Sequence, residues 1–324
     1  MDIRNIDLRQ AFPALPVPQS ETSFTAYLRK NDEFLGEGHR FPAVIVCPGG
    51  GYRYCSPREG EPVALRFVSQ GYNCFVLNYP VAPDRYPSSL LYLSAAVAWV
   101  RRNADELNVD PERVAVCGFS AAGHLCATLS AFWQEEFIAR QLGLAPEENR
   151  PDASILCYPV ITFGEFAHAG SRNNLLGEEP DPALVEKLSI ENSVTPLFPP
   201  TFLWNTYTDG IVPAENSLLL AASLRKAGVS VEFHMYHQGP HGLAMCDHTT
   251  ATNENSVNPH CASWFPLCCE WLSSVFAKKQ QKSHPVRSDR MGFSFDQKLY
   301  CLCSPSRLTT VPSWRACSAA KAMK

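Results

Sequence analysis

A serine placed between a strand and a helix is the first residue of this chain that could form a covalent bond to a substrate. Gly118-Phe119-Ser120-Ala121-Ala122-Gly123 follows directly on an apolar run, 113–117, and precedes a helix-type stretch. Such a turn exposes the hydroxyl at the carboxyl end of a sheet, and it is so sharp that residues two before and two after the serine must be small. Gly118 meets this condition, while Ala122 puts one methyl at a crowded point before Gly123. The short pattern alone is weak, and its place after a strand and before a helix is what gives it weight.

A serine hydroxyl needs a base to accept its proton near neutral pH. Of nine histidines, His241 stands out, because Gly239-Pro240-His241-Gly242-Leu243 is a loop just beyond the last apolar run, and catalytic groups gather at strand carboxyl ends. His237 is the substitute, and His124, four residues past the serine, reads as a packing or surface residue. The base needs a carboxylate to set its tautomer. Asp209, in Thr206-Tyr207-Thr208-Asp209-Gly210-Ile211-Val212-Pro213, follows another strand-like run, although Asp-Gly also commonly makes an ordinary turn.

Three successive glycines follow the run 43–47, in Pro48-Gly49-Gly50-Gly51-Tyr52. Their unshielded N–H groups suit an anionic oxygen that forms during reaction. A phosphate-binding loop would need Lys and Ser/Thr after the last glycine, where this chain has Tyr52 and Arg53. Gly50 and Gly51, with the N–H of Ala121, are therefore expected to make an oxyanion hole.

These residues need a frame that brings separate loops together. Short apolar runs at 43–47, 74–77, 113–117, 154–157, 201–204 and 231–236 alternate with helix-type segments, the pattern of a mostly parallel sheet covered on both faces. Leu90, Leu93, Val97, Val100, Ala104 and Leu107 line one helical face. A second helix is expected over 213–226, ended by Gly228, and another from near Glu59 to Gly71. The acidic segment 161–199 breaks the alternation and reads as a small cap over the strand ends. The last periodic stretch is 265–276.

Charge divides the chain unevenly. The net charge is −4, yet nine of the 28 Lys/Arg and only two of the 32 Asp/Glu fall in 279–324. That tail is thus +7 and residues 1–278 are −11, which predicts a catalytic domain over 1–278 and a poorly ordered basic tail. The acidic balance excludes nucleic-acid binding by counterion release for the domain, though not for the tail. No apolar run is long enough to span a membrane and no signal peptide is evident at the start, so a soluble, cytoplasmic protein is expected. The thirteen cysteines include no C-x-x-C, which argues against zinc. Cys47, Cys74, Cys117 and Cys157 read as core residues. Neither metal nor organic cofactor is implied.

Together, Cys-Pro-Gly-Gly-Gly-Tyr, Gly-Phe-Ser-Ala-Ala-Gly-His-Leu, Thr-Asp-Gly-Ile-Val-Pro and Gly-Pro-His-Gly-Leu resemble the α/β-hydrolase esterase/lipase group. Within it they are most similar to bacterial acetyl esterases and xylan esterase-like enzymes. The order Ser120, Asp209, His241 is that group's order, and the similarity covers roughly residues 20–278. Glu59-Gly60-Glu61-Pro62-Val63-Ala64, residues 73–83 and Pro213-x-Glu215-Asn216-Ser217 add to it. The resemblance implies an α/β-hydrolase fold with Ser120 as nucleophile, His241 as general base and acid, Asp209 as orienting carboxylate, and Gly50, Gly51 and Ala121 as oxyanion donors. It also implies a carbohydrate or other small-molecule ester as substrate, with acetyl the favoured acyl group. Two other readings use the same fold: a serine peptidase of the prolyl-oligopeptidase kind, and a non-catalytic binding protein. The first usually carries an extra recognition domain, for which there is little room, and the second typically lacks a triad member.

Overall fold

The computed structural model describes the backbone of residues 1–30 and 38–283, and side chains as far as residue 277. In chain order the strands are β1 (Asp2–Ile6), β2 (Ser23–Leu28), β3 (Phe41–Cys47), β4 (Asn73–Asn78), β5 (Val109–Phe119), β6 (Ala153–Cys157), β7 (Thr201–Thr206) and β8 (Val231–Tyr236). The helices are α1 (Leu8–Ala11), α2 (Glu61–Ser69), α3 (Ser88–Arg102), α4 (Ala121–Phe132), α5 (Glu136–Leu142), α6 (Ala169–Leu176), α7 (Pro182–Lys187), α8 (Glu215–Lys226) and α9 (Trp264–Ser283).

The strands form one sheet in the order β1-β2-β4-β3-β5-β6-β7-β8. From β4 to β8 all neighbours are parallel, whereas β1 and β2 pair antiparallel at one edge. Strands β6 and β7 are buried along their whole length. Strands without a solvent face need helices on both sides, and two apolar clusters accordingly fill the two faces. One holds Ile45, Val97, Leu125 and Leu203, the other Val46, Phe67, Phe202 and Trp264. All four thiols read as core residues, Cys47, Cys74, Cys117 and Cys157, are fully buried. This is the α/β-hydrolase architecture.

Each expected strand is present, β8 as expected and the others extended by one to a few residues, but β1 and β2 were not anticipated from sequence. Strand β1 alternates half-buried and exposed positions and leaves Ile3 54% exposed, so its backbone pairing with β2 defines it rather than burial. Helix α3 stops at Arg102, short of the expected 107, where Asn103 leaves helical geometry at φ −104° and ψ 16° and its Nδ2 donates to Trp99 O at 2.8 Å. Ala104 and Leu107 are buried all the same, in the turn that leads to β5. Helix α9 continues past residue 278 to Ser283. The basic tail expected over 279–324 lies outside the described residues from 284 on.

One feature of the strand order places the site. The chain leaves β3 to form β4 on one side and later forms β5 on the other. The crevice outside the carboxyl ends of β3 and β5 is thus a point where the winding reverses, the position at which open α/β sheets bind ligands. The β3–β5 register pairs Cys47 with Gly118, which sets the glycine loop beside Ser120 although some seventy residues separate them.

Candidate active site

The turn at Ser120 is forced by close packing. Ser120 has φ 54° and ψ −118°, a conformation that costs about 1–3 kcal/mol and persists only where surroundings over-determine it. Its N–H donates to Cys157 O at 2.9 Å, and its carbonyl accepts from Val160 N at 3.0 Å. A Cβ on Gly118 would lie 2.1 Å from Ala122 O, and one on Gly123 would lie 2.5 Å from Pro159 Cβ. The Ala122 methyl, expected to crowd the turn, packs in the core instead. The close approach after the serine is taken by Gly123.

Three side chains from three strand ends meet here. His241 Nε2 lies 2.8 Å from Ser120 Oγ, and His241 Nδ1 lies 2.6 Å from Asp209 Oδ2. An ionised carboxylate only accepts, so Nδ1 carries the proton and Nε2 is left to accept from the serine. Asp209 Oδ1 accepts from Ile211 N at 2.9 Å and Val212 N at 3.0 Å. One oxygen of Asp209 thus organises a turn and the other faces the imidazole. Thr206 and Thr208 tie this turn to the histidine loop, since both hydroxyls donate to Gly239 O, at 2.8 and 3.2 Å.

The glycine loop curls tightly over the same crevice. Arg53 N and Tyr54 N both donate to Gly50 O, and a Cβ on Gly50 would sit 2.1 Å from Tyr54 O. Among the described residues, the N–H groups of Gly50, Gly51 and Ala121 have no hydrogen-bond acceptor. They remain available to an anionic oxygen near Ser120. Gly49, by contrast, spends its N–H on Glu59 Oε2 at 2.9 Å.

An open cleft of about 430 Å³ brings Gly50, Gly51, Ser120 and His241 together with Tyr54, His168 and Asn174. A depression of similar size at the N-terminal strands, about 440 Å³, includes Asp7, Arg9 and Tyr92 but no base poised on a nucleophile. His168 caps α6, its Nδ1 accepting from Ser171 N at 3.2 Å. Burial, and then the neighbouring His241, push its pKa down, so it presents a neutral ring to the cleft. Asn174 Nδ2 donates to Gly51 O at 2.9 Å, which fastens the segment 161–199 to the glycine loop. Neither residue, nor Glu59, was singled out for a role from sequence. Their contacts join segments far apart in the chain, and no local pattern announces them.

The other histidines do different work. His237 is exposed, and His234 Nε2 pairs with Glu232 at 3.0 Å. His124 is fully buried between Tyr52 Oη at 2.9 Å and Leu188 O at 2.8 Å, and burial pushes its pKa down to about 4. The unfolded chain takes up this proton near pH 6.5 while the folded chain refuses it until about 4. Stability is therefore complete above about pH 6.5 and falls as pH drops towards 4, by roughly 2–3 kcal/mol for this residue. Urea unfolding at pH 7 and pH 4.5 checks this: His124→Gln should lose less stability between the two than the native protein, and an equal loss sinks the assignment.

Residues 34–224, more than half of the sequence, match the model of the BD-FAE family. The chain belongs to the BD-FAE family of α/β-hydrolases. This BD-FAE chain is similar to the acetyl ester-xyloside bifunctional hydrolase from Caldicellulosiruptor lactoaceticus, with 38% identity and a TM-score of 0.72 over 84% of this chain and 96% of that one. A carboxylesterase from Lactobacillus plantarum superposes with a TM-score of 0.73 at 29% identity, over 85% of this chain and 98% of that one. An acetylxylan esterase from Xylanibacter ruminicola is 33% identical over 216 residues, covering 65% of this chain and 42% of the relative. Endo-1,4-beta-xylanase B from Butyrivibrio fibrisolvens is 35% identical over 226 residues, covering 68% and 34%. The BD-FAE chain thus spans less than half the length of these two curated relatives. No helix among the described residues is long and apolar enough to cross a membrane.

Proposed function

We propose that this chain is a serine carboxylester hydrolase that works through an acyl-enzyme on Ser120 and removes short acyl groups, acetyl above all, from carbohydrates or similar alcohols. The observation that carries the reading is the unbroken relay Asp209–His241–Ser120, with contacts of 2.6 and 2.8 Å. In the first half-reaction, Ser120 Oγ adds to the acyl carbon while His241 Nε2 takes its proton. The carbonyl oxygen becomes an oxyanion within reach of the N–H groups of Gly50, Gly51 and Ala121. As the C–O bond to the alcohol breaks, His241 hands that proton to the departing oxygen. In the second half-reaction water loses a proton to His241 and adds to the acyl carbon, and the carboxylic acid leaves as Ser120 regains its proton.

The substrate side rests on two supports. The cleft offers polar groups such as His168 and Asn174 beside the exposed ring of Tyr54, a mixture that suits a hydroxylated alcohol better than a long alkyl chain. The acetylxylan esterase and the acetyl ester-xyloside hydrolase described above point the same way. The test is a panel of acetylated xylo-oligosaccharides, p-nitrophenyl esters of increasing chain length and aminoacyl amides, with fluorophosphonate labelling mapped to its peptide. Acetyl esters should turn over fastest and the label should sit on Ser120. Preference for aminoacyl amides would mean a peptidase, and failure to label would mean a non-catalytic protein.

A further inference from the structure

Glu59 is a buried carboxylate that the relay does not use. It is 4% exposed, ends the short turn Pro57–Glu59 and borders the cleft. Its Oε2 accepts from Gly49 N at 2.9 Å and its Oε1 from the Tyr158 hydroxyl at 2.7 Å. The Tyr158 oxygen in turn accepts from Ala244 N at 2.9 Å, three residues past His241. The tyrosine ring also meets the His241 imidazole edge-on, with centroids 5.0 Å apart. Next to Glu59, Arg58 donates to Gly242 O at 2.9 Å and to Thr250 O at 2.6 Å. One turn thus grips the glycine loop on one side and the histidine loop on the other.

We propose that Glu59 is a positioning residue for His241, a buried anion that locks the histidine loop to the glycine loop through Tyr158 and favours the imidazolium formed during acyl transfer. The proposal rests on the roles given above to Ser120 and His241.

Burial holds the Glu59 carboxyl above the usual carboxylate range, and the bonds from Tyr158 and Gly49 and the charges of His241 and Arg58 limit that rise. The thiols of Cys55, Cys117 and Cys157 also face it, and burial holds all three up, Cys55 to about 12, so they bring no charge near neutral pH. Around His241 stand Asp209, Glu59, Tyr158 and His168; burial keeps the Tyr158 phenol protonated and His168 neutral. The negative charges that favour an imidazolium there are therefore those of Asp209 and Glu59.

Glu59→Gln keeps the shape and removes the charge. Without that anion acyl transfer from p-nitrophenyl acetate should slow, while binding of the ester is little changed. We expect kcat to fall about tenfold, with KM changed less than about threefold. Tyr158→Phe keeps the charge but cuts the tie to Ala244, and kcat should fall about fivefold at constant KM. Glu59→Asp restores the charge on a shorter arm and should recover part of the lost kcat, which a purely steric role for Glu59 would not produce. A folded Glu59→Gln protein with native kcat overturns the proposal. If that variant does not fold, native kcat in Tyr158→Phe overturns it. Activity surviving in Ser120→Ala would instead remove the reading of Ser120, whereas native kcat in Glu59→Gln with activity lost in Ser120→Ala removes the role of Glu59 alone.

Discussion

Ser120→Ala should lower kcat for p-nitrophenyl acetate by about 10⁵–10⁶, the scale seen when a serine hydrolase loses its nucleophile. The argument is specific to this geometry. Only Oγ is removed, and it sits 2.8 Å from the one imidazole nitrogen that is free to accept its proton. Glycine-loop donors and the cleft are untouched, so substrate binding should persist and some residual acceleration over water should remain. Alanine tolerates the turn no worse than serine does, so thermal unfolding should barely change. His241→Ala should cost about as much, and the double variant should be little worse than either, because residues acting as one unit are strongly non-additive. Steady-state kinetics on purified protein, beside a melting curve, decide the matter. Full turnover in Ser120→Ala would end the acyl-enzyme reading.

Gly118→Ala should be among the most damaging small substitutions at the described residues. The added Cβ would lie 2.1 Å from Ala122 O, 2.6 Å from Ala122 C and 2.7 Å from Cys126 Sγ. Two of those atoms are backbone, in the first turn of α4, and cannot rotate aside. The helix would have to retreat from β5, or β5 from its neighbours, and either motion pulls Ser120 away from His241. Overpacking a close-packed interior costs about 1–3 kcal/mol and occasionally more, and clashing backbone leaves little room to relax. A loss of about 3 kcal/mol would lower Tm by roughly 6–12 °C in a domain of this size. Fluorophosphonate labelling should nearly vanish even at temperatures where the variant is folded. Calorimetry and labelling together test this, and a native Tm with native labelling would refute the packing account of the turn.

Much of the frame was legible because burial on both sheet faces writes itself into sequence. Strands β3 to β8 are short apolar runs bounded by turn residues, and each candidate side chain follows one of them at its carboxyl end. Asp209 could be singled out only by its place after a strand, since Asp-Gly is also a common turn. In the structure one of its oxygens holds a turn and the other meets the His241 imidazole. Strands β1 and β2 were not legible, because an edge pairing made by backbone groups leaves little side-chain signature. Helix α3 was read too long, since buried Ala104 and Leu107 continue the apolar period after Asn103 has ended the helix. The Glu59–Tyr158 bridge was beyond reach for another reason. It joins residues 99 positions apart, and neither residue is unusual where it stands. Glu59 lay inside a stretch that matched the family pattern, but the match carried no hint of what the carboxylate touches.

Strand β8 pairs with β7 alone and is only half-buried along most of its length, yet the proposed base hangs from its end. The proposed nucleophile and oxyanion donors, in contrast, follow β5 and β3 at the centre of the sheet. Free energies of local opening run from near zero at fraying ends and mobile loops up to the global value in core strands. The proposed acceptor of the proton is thus mounted at an edge of the sheet, and the proposed attacking oxygen at its centre. Local opening confined to that edge would part the two while the central strands stay paired.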